Sequence, residues 1–192
     1  MEPKPVLLKQ LQEQDPARHA AAEALMLLGD AALRAVVQSL SDPDWLVRGV
    51  AAEALGEMNS SQAVAPLITM LSDRKAEVRR AAAWALAQIG KQAMVAPKVV
   101  TGLFEVLQGP DAHAREAGIT ALGAIKHPDV PNALLWALGD PEAPVREAAA
   151  DALGRLGKET MDVLIGALPH EDPGVRIFAS ASATAIRTPG SS

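Results

Sequence analysis

Cysteine and tyrosine are both absent from this 192-residue chain, and aromatic residues make up only 3% of it. Without cysteine there is no disulfide framework, no thiolate nucleophile and no cysteine-ligated metal, and nothing points to an oxidising compartment. The β-branched alternation that marks half-buried strands is missing as well, so no strand pattern competes with helix. There is no Gly-rich phosphate loop and no HExxH, and the scattered Ser and His residues cannot be joined into a triad by spacing. Basic residues number 18 against 23 acidic ones, for a formal net charge of −5. The arginines are spread evenly instead of forming a stripe, which leaves the counterion-release contribution to nucleic-acid binding weak. The opening MEPKPVLLKQ has neither a basic n-region nor a long apolar core, and the Ala/Leu stretch over 20–37 is interrupted by Glu23, Asp30 and Arg34. These absences predict a soluble cytoplasmic protein with no membrane or nucleic-acid partner.

What the chain has is alanine, leucine and one arginine that keeps returning. Arg18, Arg48, Arg79, Arg115, Arg146 and Arg176 are separated by 30, 31, 36, 31 and 30 residues, and each precedes an alanine-rich run. A period of that size is the mark of stacked helical repeats, each burying its apolar face against its neighbours. The clearest copy is DPDWLVRGVAAEALGEM from Asp42, followed by DRKAEVRRAAAWALAQIG from Asp73, GPDAHAREAGITALGAI from Gly109 and DPEAPVREAAADALGRLG from Asp140. Worn copies begin near Asp15 and Asp172.

The template has physical reasons. Aspartate in the turn accepts from free N–H groups at a helix start, and the proline after it suits a position whose own N–H goes unpaired, so Asp-Pro is expected to open the helix. Val47, Ala51, Ala54, Leu55 and Met58 form a one-sided apolar stripe. Gly56, Gly123 and Gly154 are expected inside helices at close backbone crossings, and Gly90 and Gly157 as C-caps. A shorter amphipathic segment precedes each turn, starting at Ala31, Ala63, Lys98, Asn132 and Thr160. The unit is therefore a helical hairpin.

Asp in the turn and Val-Arg opening the second helix resemble a HEAT repeat, of the short bacterial type named after the phycobilisome lyases. The resemblance runs from about Val6 to Ile186 and implies an all-α, right-handed α-solenoid of about six hairpins, over 6–28, 30–58, 61–90, 92–126, 128–157 and 159–187, with 188–192 as a tail. It also implies that second helices line a concave face and that turn aspartates and helix arginines form a ladder: Asp42, Arg48, Asp73, Arg79, Arg115, Asp140, Arg146, Asp172 and Arg176. One HEAT-like relative, deoxyhypusine hydroxylase, holds two irons through His-Glu pairs just after this arginine. Here that slot reads His19-Ala20, Gly49-Val50, Arg80-Ala81, Glu116-Ala117, Glu147-Ala148 and Ile177-Phe178, so the metal ligands, and with them any implied cofactor, are missing.

The variable template positions are expected to face solvent in the groove: Trp45, Leu46, Val50, Glu53 and Glu57, then Glu77, Arg80, Trp84 and Gln88, then His113, Glu116, Thr120, Glu147, Asp151 and Arg155. Trp45 and Trp84 stand where the fold asks only for a soluble residue, and tryptophan is a leading interface type; the competing reading lays each ring over neighbouring alanines. Trp136 falls on the opposite, convex column. Ile177 and Phe178, at solvent-facing columns of the last repeat, are expected to be covered either by the tail or by another subunit, the second implying self-association there. The longer interval between Arg79 and Arg115 places about five extra residues in the GKQAMVAPKV connection, as a longer loop or an extra helical turn. The resulting expectation is a non-enzymatic scaffold or adaptor holding a protein partner with a basic or apolar docking surface. Its rivals are an accessory subunit of a bilin lyase, implied by the repeat type alone, and a nucleic-acid-binding HEAT protein.

Overall fold

A computed structural model describes residues 30–157, which form eight α-helices and one 3₁₀ turn, with no strand among the described residues. The first and last repeats, with Arg18, Asp172, Arg176, Ile177, Phe178 and the tail, lie outside them. The helices are α1 (Asp30–Ser39), α2 (Trp45–Glu57), α3 (Val64–Met70), α4 (Ala76–Gly90), α5 (Ala96–Leu107), α6 (Ala112–Leu122), α7 (Val130–Ala137) and α8 (Ala143–Leu156). They follow one another as four successive helix pairs, α1–α2, α3–α4, α5–α6 and α7–α8. This is the all-α solenoid class. None of the described helices is long and apolar enough to cross a membrane.

The chain divides into two compact units, Met1–Gly102 and Leu103–Ser192, with the boundary inside α5. In the first unit α2 packs on α1 and along α4, and α3 packs on α4. Leu55, Leu67, Leu71, Leu86 and Ile89 are fully buried there. In the second unit α8 packs against α6 and α7, over a core that includes Ile119, Leu122, Ile125 and Leu134. Burial of such side chains is worth about 1.5–3 kcal/mol each, so neighbour packing supplies the stability that the short, alanine-rich helices lack on their own.

Small residues set how closely the second helices approach. A Cβ on Gly56 would lie 2.8 Å from Ala85 Cα and 2.9 Å from Ala85 Cβ, so α2 and α4 cross where only glycine fits. The same register recurs in the second unit, where a Cβ on Gly123 would meet Ala152 Cβ at 2.8 Å. Gly123, however, is not inside a helix. It is the C-cap of α6, in right-handed helical geometry (φ −61°), because the copy runs out one residue after Leu122. Gly90 in turn is the last residue of α4 and not its cap, which is Lys91. Gly157 does cap α8 with positive φ (68°), a conformation glycine takes without the Cβ penalty.

The turn aspartates also differ from the sequence expectation. Asp42 Oδ1 accepts from Asp44 N at 2.8 Å, Asp73 Oδ1 from Lys75 N at 2.8 Å and Asp140 Oδ1 from Glu142 N at 2.9 Å. Each closes a turn on the residue that precedes the helix, so the Asp-Pro pair shapes the loop and the helix opens later. Where an aspartate stands two residues after that turn position, it is the cap: Asp44, after Asp42, accepts from Leu46 N and Asp111, after Gly109, from His113 N, both at 2.9 Å.

The extra residues between α4 and α5 form a turn over 91–95, and part of the added length is taken up by α5, with 12 residues against 7 in α3 and 8 in α7. Two side chains tie this segment to the loop before α3: Gln92 Nε2 donates to Asn59 O at 2.8 Å and Lys98 Nζ to Ser61 O at 3.2 Å. Met94, between them, is 94% exposed.

Candidate partner-binding face and arginine clamps

The repeated template produces one repeated device. Arg48 opens α2 and is buried; its Nε donates to Asp73 Oδ2 at 2.7 Å and its Nη2 to Asp73 Oδ1 at 2.9 Å. Its remaining nitrogen, Nη1, donates to the carbonyls of Asp42 and Pro43 in its own turn. The guanidinium thus ties its own turn to the turn of the next repeat. Arg115 repeats this in the second unit, with Nε and Nη2 on Asp140 at 2.7 and 2.9 Å and Nη1 on Gly109 O at 3.0 Å. A planar fork on a carboxylate is the strong, oriented form of ion pair. Hydrogen bonding to Asp73 raises the Arg48 pKa above its ordinary value against the cost of burial, and the Arg48 hydrogen bond, foremost, holds Asp73 below the usual carboxylate range. Burial pushes Asp140 upward, but the Arg115 hydrogen bond, the Glu142 N–H and the charges of Arg115 and Arg146 outweigh it, and its pKa is lowered.

Arg79 and Arg146 hold the same pose through Nη1, donating to Asp73 O at 2.8 Å and Asp140 O at 2.7 Å. Among the described residues Arg79 has no carboxylate partner. Pairing runs from an arginine to an aspartate 25 residues later.

The positions expected to line a groove divide by exposure. On α4, Ala76, Glu77, Arg80 and Trp84 are exposed, Arg79 and Gln88 are half-buried, and the rest of the helix is buried. On α2 only Leu46 is fully exposed, at 49%; Trp45, Val50, Glu53 and Glu57 are half-buried, because α1 and α4 crowd both sides of the helix. Glu53 and Glu57 each have an interaction partner. Trp45 does not stand clear of the protein: Lys75 Nζ lies 5.8 Å from its ring centroid, within cation–π range. Trp84 is packed on one side and open to solvent on the other. Its ring edge covers Gly56, where a Cβ would sit 2.8 Å from Cζ3, and 39% of the residue remains exposed. In the second unit His113, Thr120, Glu147, Asp151 and Arg155 are exposed and Glu116 is half-buried. Trp136 on α7 is 57% exposed.

No cluster of three or more metal-ligating side chains occurs among the described residues. The profile of the HEAT repeats matches residues 33–107 and 100–187, which together cover most of the chain. This chain is a HEAT-repeat protein.

No curated protein sequence is significantly similar to it. Solved structures are similar at low identity. The Escherichia coli protein YibA is 24% identical, with a TM-score of 0.54 over 95% of this chain and 72% of that one. The CpcE–CpcF complex of phycocyanin lyase from Nostoc is 23% identical, with a TM-score of 0.56 over 78% and 97%. A crescerin TOG-domain structure is 20% identical, with a TM-score of 0.61 over 87% and 84%. At these identities the likeness is one of fold. The expected ladder named the aspartates and arginines without fixing which aspartate each arginine meets. Spacing in the chain does not resolve it, because the within-repeat interval of six residues (Asp42 to Arg48, Asp73 to Arg79, Asp140 to Arg146) recurs more often than the 25-residue interval of the actual pairs.

Proposed function

We propose that this HEAT-repeat chain is a non-enzymatic interaction module that holds a protein partner on the faces of its second helices, with Leu46 and Trp84 as the apolar anchors of the first unit. The observation that carries the reading is Trp84. In a helix whose neighbouring side chains are buried, the largest one is left 39% exposed, with Glu77 and Arg80 beside it as the exposed polar residues. Half-exposed aromatic side chains seated on a rigid element are the type that dominates interface energetics. Exposed Glu147 and Asp151 on α8, with the net charge of −5, favour a partner whose docking element is apolar with a basic rim. The repeat fold supports a scaffold role, and a clamp whose groups are saturated by each other supports a structural role for the Arg48–Asp73 and Arg115–Asp140 pairs.

The test is affinity for a partner purified from the native cell, with Leu46→Ala and Trp84→Ala compared with Trp136→Ala. Loss of about 2 kcal/mol for Trp84→Ala, a smaller loss for Leu46→Ala and none for Trp136→Ala is the expected order. Unchanged affinity in both groove variants would remove this face from binding.

A further inference from the structure

We infer that Arg79 is a receptor for a carboxylate supplied from outside the chain. In each of the four described repeats the recurring arginine is fixed by the same bond, from Nη1 to a carbonyl of its own turn, at 2.7 to 3.0 Å. That bond leaves the Nε/Nη2 edge presented in one direction. For Arg48 and Arg115 the edge carries a carboxylate, gripped through both oxygens at 2.7 and 2.9 Å. Arg79 holds the same anchor, on Asp73 O at 2.8 Å, yet no carboxylate of the described residues meets its edge. In the sequence, Asp42, Asp73 and Asp140 stand six residues before a recurring arginine, whereas Gly109 holds that position before Arg115.

A guanidinium whose orientation is already fixed loses little freedom on binding, so the ordering cost that weakens surface ion pairs is largely met in advance. The fork matches two oxygens of a carboxylate in plane, and the two sibling sites hold that group and no other. Arg79 is half-buried, which shields it from salt more than a free surface arginine. An acidic side chain and a chain-terminal carboxylate share this chemistry.

The probe is acetate, titrated at constant ionic strength against chloride into the full chain, with the Nε–H resonances of the arginines followed by NMR. The Arg79 resonance is assigned by its loss in Arg79→Lys, a variant that keeps the charge but not the fork. Acetate is expected to move the Arg79 resonance downfield and saturably, while Arg48 and Arg115, already bonded to carboxylates, stay still. Acetate should also raise the melting temperature of the natural chain and not that of Arg79→Lys. Two short peptides then separate the sources, one with an internal aspartate and an amidated C-terminus, the other with a free C-terminus and no acidic side chain; the tighter of the two identifies the natural group. An Arg79 resonance that acetate and both peptides leave in place overturns the inference, and so does one that responds to inorganic phosphate alone.

Discussion

Replacing Gly56 by alanine tests the close crossing of α2 and α4 directly. In the middle of an exposed helix the change would help, by about 1 kcal/mol of helix propensity. Here the new Cβ meets Ala85 Cα at 2.8 Å, Ala85 Cβ at 2.9 Å and Trp84 Cζ3 at 2.8 Å. Trp84 can turn its ring away, but Ala85 offers only atoms fixed to the α4 backbone, so the two helices must part. Overpacking of this kind costs up to about 3 kcal/mol, and the difference predicts a net loss of about 2 kcal/mol. For a chain of this size that corresponds to a fall in melting temperature of about 4–8 °C. Gly49→Ala is the matched control, because the same helix there leaves its Cβ 4.0 Å from Val78 Cγ2, an ordinary van der Waals distance, and the propensity gain should survive. Thermal denaturation followed by circular dichroism reads both. Adding Ala85→Gly to Gly56→Ala should recover only part of the loss, since the clash with the α4 backbone itself persists. If Gly56→Ala proves as benign as Gly49→Ala, the helices are not held together at this glycine and the packing account is wrong.

Other perturbations have equally definite outcomes. Arg115→Ala leaves Asp140, whose side chain is only 3% exposed, without its main partner and should cost about 3 kcal/mol, measurable by urea unfolding. Arg79→Ala removes one hydrogen bond and should cost about 1 kcal/mol; equal losses at both positions would show that the carboxylate pairing is not what stabilises the array. Asp73 and Asp140 have folded-state pKa values below the usual range, so the stability they confer is complete above the unfolded value of about 3.9 and is lost as pH falls through the lower folded values. Urea midpoints taken down this acid limb should flatten in Asp73→Asn and Asp140→Asn. Trp84→Ala should lower both affinity and melting temperature, since the ring covers Gly56 as well as facing solvent; a fall in melting temperature with affinity intact would make it a packing residue alone.

Periodicity carried the hairpins because buried alanines and leucines recur at helical spacing, and that pattern depends only on which side of a helix meets its neighbour. The exposed stripe Glu77, Arg80 and Trp84 was legible for the same reason. On α2 the same columns came out half-buried, because exposure there depends on how closely α1 and α4 approach, which no single helix encodes. The role of the aspartates was half legible. Their residue type announced a capped turn, but whether the carboxylate caps the helix or closes the loop before it depends on two residues of spacing, and the fork from the preceding repeat claims the same oxygens. Trp84 could not be resolved by type at all, since one ring both fills the space over a glycine and faces solvent.

The 25-residue reach of each clamp also says where this chain can be cut and rejoined. A segment divided at the loop between hairpins separates Arg48 from Asp73 and Arg115 from Asp140, leaving one fragment with an orphaned guanidinium and the other with an orphaned carboxylate. A segment divided just after the turn aspartate keeps both ends of the clamp on one piece. The exchangeable module, for duplication in evolution or for lengthening an array by design, is therefore offset by half a repeat from the hairpin that the eye picks out, and a copy inserted in that frame brings its own fastening with it.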